Sequence, residues 1–118
     1  MKRISIVAVV FVLLLGAVSV ATAQDEINSV CLMTDVGRVN DGTFNQFAYE
    51  GMIAVAEEYD LDHDYVETVS ERDYVDNINS CLEEGYDIII TVGFLIADAT
   101  LDAALANPDV YFMGVDQY

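Results

Sequence analysis

Residues 87–92 read Asp-Ile-Ile-Ile-Thr-Val, and Gly93 follows them directly. A short run that is apolar on both faces is typical of a strand inside a parallel sheet, because helices cover such a sheet from both sides. Amphipathic stretches flank this run: one ends at Gly85, and the other is predicted to form a helix over residues 94–106. The pattern therefore predicts the centre of an α/β sheet.

The rest of the chain alternates strands and helices around that centre. Residues 29–34 and 110–115 are further apolar runs, whereas residues 62–69 alternate weakly and are polar enough for an edge strand. One helix is predicted to start at Thr43 and another near Ser70. This order predicts a three-layer α/β fold, in which a parallel sheet carries helices on both faces.

Apolar residues after Thr43 recur every three or four positions, which predicts one buried helical face. They are Phe44, Phe47, Ala48, Gly51, Met52, Val55, Ala56 and Tyr59. Asn45 lies off this stripe and is therefore expected away from the buried side of the helix.

The composition excludes several classes of protein. The chain has 118 residues, 54% of them hydrophobic, and a net charge of −17. That length allows one domain or part of a larger one, and the hydrophobic fraction excludes a disordered chain. The acidity excludes binding to nucleic acid, because the phosphate backbone would be repelled. Most acids are expected on solvated helix ends and turns, as at Glu57, Glu58, Asp60, Asp62, Asp64, Glu83 and Glu84.

The first 23 residues resemble a secretory signal peptide. Lys2 and Arg3 precede a mostly apolar stretch over residues 4–20, and Ala21-Thr22-Ala23 predicts cleavage before Gln24. The alternative is an uncleaved membrane anchor. Residues 1–23 are thus predicted to be a signal peptide and residues 24–118 the exported domain.

The chain has two cysteines, Cys31 in the first predicted strand and Cys81 in the second predicted helix. Backbones of packed strand and helix layers usually lie about 10 Å apart, whereas a disulfide needs about 4.4–6.8 Å between its α-carbons. Two buried thiols are therefore the favoured state, although export makes oxidation feasible.

Ligands of such parallel sheets bind beyond the carboxyl ends of the strands, near the point where the strand order reverses. The loop after the first strand, residues 34–45, reads Thr-Asp-Val-Gly-Arg-Val-Asn-Asp-Gly-Thr-Phe-Asn. Two further loops, after Val92 and after Val115, are expected at the same edge. These three loops are the candidates for a binding site.

The first loop contains Asp-x-Gly and then Asp-x-Thr-Phe-Asn, with Gly51 six residues later. Residues 86–94 (Tyr-Asp-Ile-Ile-Ile-Thr-Val-Gly-Phe) and residues 108–112 (Pro-Asp-Val-Tyr-Phe) add to the pattern. Together these segments resemble the basic membrane protein family, the nucleoside-binding lipoproteins of bacterial ABC importers. The resemblance spans residues 28–116 but only the first part of the family's usual length.

The resemblance implies that residues 24–118 are an incomplete N-terminal lobe of the type I periplasmic binding protein fold. In this family two such lobes close around a ligand. The resemblance also implies an exported, non-enzymatic solute-binding protein that takes a purine nucleoside without a cofactor and docks on an ABC permease. The residues expected to contact the ligand are Asp35, Asp41, Phe44, Asn45, Phe94, Asp98 and Asp116. No Cys follows the apolar leader directly, which departs from the family's lipoproteins.

Several of these residues have a structural alternative. Asp41 is equally well placed to cap the first helix, and Phe44 and Phe94 to pack in the core. Asp98 faces either the site or water. His63 is interpreted as a surface imidazole on the edge strand.

Other functions stay as alternatives. One is an extracytoplasmic sensor or receptor lobe of the same fold, and another is a truncated relic. A metal-dependent hydrolase that uses the paired carboxylates Asp35 and Asp41 is a further alternative. The sequence contains no Gly-x-Ser-x-Gly, Gly-x-Gly-x-x-Gly or phosphate-loop motif, so other common enzyme classes have no support.

Overall fold

A computed structural model describes residues 26–118. The strands are β1 (Ser29–Val36), β2 (Asp62–Thr68), β3 (Ile88–Val92) and β4 (Tyr111–Val115). The α-helices are α1 (Phe44–Tyr59), α2 (Tyr74–Glu84) and α3 (Ala97–Ala106). The predicted signal peptide, residues 1–23, lies outside the described residues.

The four strands form one parallel sheet in the order β2-β1-β3-β4. The predicted α/β fold is confirmed, and so is the position of β2 at an edge. Because β2 pairs on one side of β1 and β3 on the other, the strand order reverses between β1 and β3. The carboxyl ends of these two strands are therefore the place where this architecture offers a binding crevice.

The element boundaries differ from the predicted ones at both candidate loops. Strand β1 continues to Val36, so Asp35 belongs to the end of a strand. Helix α3 begins at Ala97 and not at Phe94, because Gly93 adopts a left-handed φ of +93° that interrupts the run from strand to helix. Before α2, a single turn of 3-10 helix spans Glu71–Asp73, and the Ser70 side chain accepts a hydrogen bond from the Arg72 backbone N–H.

The two faces of the sheet are covered unequally. On one face, α2 and α3 close a core that includes Met33, Tyr74, Ile78, Ile89 and Ile96. On the other face, α1 is the only helix of residues 26–118 that packs over the sheet. Its core consists of Val30, Leu32, Met52, Ala56 and Val92.

The prediction that the whole apolar stripe of α1 is buried was wrong. Met52 and Ala56 are buried, whereas Phe44, Phe47, Val55 and Tyr59 are each at least 50% exposed. The reason is that no second helix of the described chain packs beside α1 on this face. An apolar groove of about 300 Å³ lies there, between α1 and the strands, with Phe47, Val55, Ile90 and Met113 among its walls.

The two cysteines form a disulfide, so the prediction of two free thiols was wrong. Both are buried, but their α-carbons lie only 6.1 Å apart, within the range that a disulfide spans. Cys31 lies in β1 and Cys81 near the end of α2, where the helix approaches the sheet closely. The bond therefore ties the central strand to the helix that covers it.

Among residues 26–118, no helix combines the length and hydropathy that a membrane crossing requires.

Candidate ligand site at the carboxyl edge of the sheet

Asp35 lies at the end of β1, at the reversal of strand order, and its partly buried carboxylate is held by two donors. The backbone N–H of Val36 donates to Oδ1 at 2.7 Å, and the hydroxyl of Tyr74 donates to the same oxygen. No residue of the described chain donates to Oδ2. One oxygen of the carboxylate is therefore anchored and the other is left to accept a hydrogen bond.

Gly93, at the end of β3, lies directly against this carboxylate. Its φ of +93° is left-handed, and a β-carbon placed on it would lie 2.8 Å from Cγ of Asp35. A side chain at position 93 would thus be strained by the backbone and would also displace the carboxylate. The Gly93 N–H donates to the Val115 carbonyl at 2.9 Å, which joins the ends of β3 and β4.

Asn45, in the first turn of α1, is brought to the same place. Its Oδ1 accepts a hydrogen bond from the Asp35 backbone N–H at 2.9 Å, and the residue is only 4% exposed. The expectation that Asn45 lies away from the buried side of α1 was therefore wrong. The amide turns inward because it supplies the acceptor that the end of β1 needs.

The amide nitrogen of Asn45 remains available. Nδ2 has no hydrogen-bond partner among the described residues, yet no fully buried side-chain polar atom in that part of the chain lacks one. This donor therefore reaches the surface beside Asp35. Gly37 makes room for it, since a β-carbon there would lie 3.1 Å from Nδ2.

Buried threonines and a glutamine brace the strand ends below these groups. The Thr68 hydroxyl donates to the Thr34 carbonyl at 2.7 Å, and the Thr34 hydroxyl accepts from the Thr68 N–H at 2.9 Å. On the other side, Gln117 Nε2 donates to Thr91 Oγ1 and to the Gly93 carbonyl, each at 3.0 Å. The carboxyl edge is therefore held by side chains as well as by the strand pairing.

Asp41 caps the start of α1. Its Oδ1 accepts from the backbone N–H groups of Thr43 at 2.7 Å and Gln46 at 3.2 Å. Burial alone raises the pKa of Asp41, but the hydrogen bonds from Thr43 and Gln46 outweigh it and hold the pKa below its usual range. The structure thus supplies the contacts of the capping alternative for Asp41.

Two aromatic rings stand exposed at the same edge. Phe44, beside Asn45, is 63% exposed, and Phe94, beside Gly93, is 58% exposed. Core packing, the structural alternative for both rings, is thereby contradicted. Phe44 directly precedes Asn45 and Phe94 directly follows Gly93 in the chain, so both rings belong to the loops at this edge.

Asp98 and Asp116 are not brought into contact with this group. Asp98 is exposed in the first turn of α3, where a carboxylate favours the helix dipole. Asp116 is exposed at a left-handed φ of 60° just after β4. Its neighbour Gln117 is the one that reaches β3. Their part in ligand contact stays a prediction.

Tyr74 is the residue of this site that the sequence analysis missed. It shares one helical face with Ile78 and Cys81, a spacing that is typical of a core position, and the residue is only 4% exposed. Burial raises the pKa of Tyr74 well above its usual range, and the hydrogen bond to Asp35 raises it further. The hydroxyl therefore stays protonated and donates to Asp35. The only feature of the sequence that could have indicated this role is a tyrosine among the apolar residues of a helical face.

The edge as a whole suits a neutral ligand rich in hydroxyl groups. Arg38 and Arg72 are the only cationic side chains near residues 34–45 and 68–73, and both are exposed. Among residues 26–118, no group of His, Cys, Asp and Glu side chains is arranged to hold a metal ion. The carboxyl edge thus carries the Asp35 acceptor, the Asn45 donor and the exposed rings of Phe44 and Phe94. Among residues 26–118 it has no cluster of cations that would bind a phosphate.

Comparisons with known proteins match this chain to one family. Residues 28–118 match the family model described as ABC transporter substrate-binding protein, PnrA-like. The ABC transporter nucleoside-binding protein BmpA of Lactococcus lactis is 38% identical over 89 residues, which are 72% of this chain and 25% of that protein. The chain thus spans about a quarter of the length of this relative.

Solved structures show the same fold. An ABC transporter system solute-binding protein from Aeropyrum pernix superposes with a TM-score of 0.66 at 27% identity, over 74% of this chain and 24% of that one. A structure titled as a transcriptional activator of the comK gene, from Bacillus halodurans, has a TM-score of 0.64 at 25% identity. It covers 76% of this chain and 30% of that one.

Proposed function

The chain belongs to the PnrA-like family of ABC transporter substrate-binding proteins, and from that premise we propose that it binds a purine nucleoside for an ABC importer. In this proposal residues 24–118 belong to the N-terminal of two lobes, and the nucleoside is enclosed between them. The closed form then docks on the membrane permease. The observation that carries the proposal is that Asp35, with Oδ2 left as an acceptor, and Asn45, with Nδ2 left as a donor, meet at the reversal of strand order.

The chemistry of a nucleoside fits these groups. A carboxylate oxygen accepts strongly from ribose hydroxyls, and a carboxamide both donates and accepts at a purine edge. An exposed ring such as Phe44 or Phe94 offers a stacking surface for the base, worth about 1–3 kcal/mol per base. A nucleotide fits less well, because its phosphate would meet a chain of net charge −17 without a cation cluster.

Export is part of the proposal. A disulfide forms and persists in oxidising compartments, and Cys31 and Cys81 are joined. Residues 1–23 have the pattern of a signal peptide. Both features support a periplasmic or other extracytoplasmic location beside the importer.

Native mass spectrometry of the protein purified from its own source, without added ligand, tests the proposal. We expect a nucleoside-sized adduct that is released on denaturation and identified as a purine nucleoside. A protein that carries no adduct, or an adduct of another chemical class, would contradict the proposed ligand.

One lobe supplies only part of the walls of such a site. We therefore expect residues 24–118 alone to bind nucleoside weakly or not at all. Micromolar binding by this piece in calorimetry would overturn the two-lobed mechanism.

A second candidate function is ligand sensing by a receptor lobe of the same fold. The Bacillus halodurans protein favours it, since that protein is described as a transcriptional activator and not as a transporter component. Genes for a permease and an ATPase next to this one support transport, whereas a neighbouring kinase or chemoreceptor gene supports sensing.

A further inference from the structure

Tyr74 is the only aromatic side chain among residues 26–118 that is buried, and its one polar atom lies at the candidate site. The ring packs in the core beneath α2, together with Met33, Ile78 and Ile96. Its hydroxyl extends from this core to Oδ1 of Asp35. A hydroxyl in apolar surroundings needs such a partner, because burial without a hydrogen bond is costly.

The direction of this hydrogen bond decides which oxygen of Asp35 is left for a ligand. Oδ1 already accepts from Tyr74 and from the Val36 backbone N–H. Oδ2 lies toward Gly93, where only the missing β-carbon leaves room for it. The carboxylate is thus clamped between a tyrosine on one side and a glycine on the other.

We propose that Tyr74 is a positioning residue, which fixes the side-chain rotamer of Asp35 so that Oδ2 is presented to a hydroxyl group of the ligand. The identity of the ligand in this inference rests on the proposed nucleoside-binding function. The effect of Tyr74 on the Asp35 rotamer does not depend on that function. Tyr74 itself does not touch the ligand. It acts through Asp35, in the way that a second group orients the first in preorganised sites.

The test compares Tyr74→Phe with the wild-type protein as its source produces it, with the disulfide formed. The variant keeps the ring and removes only the donor. Three-bond NMR couplings from the Asp35 backbone to Cγ report its χ1 rotamer without any ligand. We expect one rotamer in the wild type and couplings averaged over several rotamers in Tyr74→Phe.

Tyr86→Phe is the matched control. Tyr86 is a partly buried tyrosine just after α2, at the opposite edge of the sheet. We expect the Asp35 couplings to stay at wild-type values in this variant. A general loss of stability would not produce rotamer averaging confined to Asp35.

Titration with adenosine forms the second arm. We expect Tyr74→Phe to raise the Kd about tenfold, which corresponds to about 1.4 kcal/mol, and Tyr86→Phe to leave it unchanged. Rotamer averaging without any change in Kd would overturn the role in binding. Averaging in a protein that does not bind adenosine at all would uphold the positioning and contradict the proposed nucleoside.

Unchanged Asp35 couplings in Tyr74→Phe would overturn the positioning role itself, whatever the titration shows. Should this variant not fold, the wild type alone still tests the hydrogen bond. The Tyr74 hydroxyl proton is expected to give a slowly exchanging resonance with a contact to the side chain of Asp35. A rapidly exchanging hydroxyl would contradict the proposal.

Discussion

The amino edge and the carboxyl edge of the sheet each carry an aspartate that accepts hydrogen bonds, but the two carboxylates differ in what they join and in which oxygen stays free. At the amino edge, Asp87 Oδ2 accepts from the Asn28 N–H at 2.8 Å and the Ser29 hydroxyl at 3.0 Å. These bonds join the starts of β1 and β3. At the carboxyl edge, the Asp35 side chain is held through Oδ1 alone, and its other oxygen lies against Gly93.

The surroundings of the two aspartates also differ. The amino edge has a hollow of about 580 Å³, and its walls include Asp62, His63 and Glu84. The carboxyl edge instead has two largely exposed phenylalanines and a left-handed glycine that ends no helix. Rings as exposed as these contribute little to the core, so they favour a binding role for the carboxyl edge. Neither the size of a hollow nor its number of acids identifies the site.

The disulfide supports both edges, because it anchors the strand that carries Asp35 and begins beside Asp87. The bond closes a loop between residues 50 positions apart. We expect Cys31→Ala with Cys81→Ala to lower the free energy of unfolding by about 2–4 kcal/mol. Urea denaturation measures this loss.

A reducing agent serves as the control, since it should destabilise the wild type by a similar amount and leave the double variant unchanged. Equal stability of oxidised and reduced wild type would show that the bond contributes nothing to the fold.

Gly93→Ala and Gly85→Ala form a matched pair across the sheet. Both glycines have a left-handed φ, +93° and +82°, but only a β-carbon at position 93 meets a neighbour within 4 Å. We expect about 1 kcal/mol of destabilisation at Gly85 from the backbone alone, and about 2–3 kcal/mol at Gly93. Thermal unfolding measures both.

Ligand binding separates the two glycines further. Gly93→Ala should weaken nucleoside binding because it displaces the Asp35 carboxylate, whereas Gly85→Ala should not change it. Equal effects on binding would remove the distinction between the two edges.

The smallest expected effect is the pH dependence of Asp87. The Asn28 N–H lowers the pKa of Asp87, burial opposes this, and Ser29 lowers it further, so that the pKa lies below its usual range. An aspartate whose pKa is lower folded than unfolded stabilises the fold above its unfolded pKa, about 3.9. That contribution is lost as the pH falls through the lowered value.

The stability difference between wild type and Asp87→Asn should therefore be about 1 kcal/mol near neutral pH and shrink toward about pH 2. Urea denaturation across this pH range measures the difference. A difference that does not vary with pH would show that the charge of Asp87 is unimportant to the clasp between β1 and β3.

The sequence predicted the elements that repeat a pattern and missed those that depend on a single contact. Alternating apolar runs were enough for the parallel sheet and for β2 at its edge. Burial of Phe47 and Val55 was predicted wrongly, because helical spacing reports an apolar face but not whether a neighbour covers it. The disulfide between Cys31 and Cys81 was likewise not predictable, because the spacing of residues along the chain does not determine how closely α2 approaches β1.

The position of the candidate site in the fold was predictable from the sequence, but the arrangement of its side chains was not. The rule for parallel sheets and the polar loop at residues 34–45 led to the edge where Asp35 and Asn45 meet. The inward turn of Asn45 and the hydroxyl of Tyr74 were not predictable, because each follows from one backbone or side-chain group that needs a hydrogen-bond partner.

The most direct test asks which carboxylate holds the ligand. Native mass spectra would be recorded for the wild type, Asp35→Asn and Asp87→Asn, each produced in the protein's own source without added ligand. We predict a nucleoside-sized adduct on the wild type and on Asp87→Asn, with occupancy at least about tenfold lower on Asp35→Asn because the charged acceptor is lost. An adduct that Asp35→Asn retains and Asp87→Asn loses would contradict the assignment of the site to the carboxyl edge.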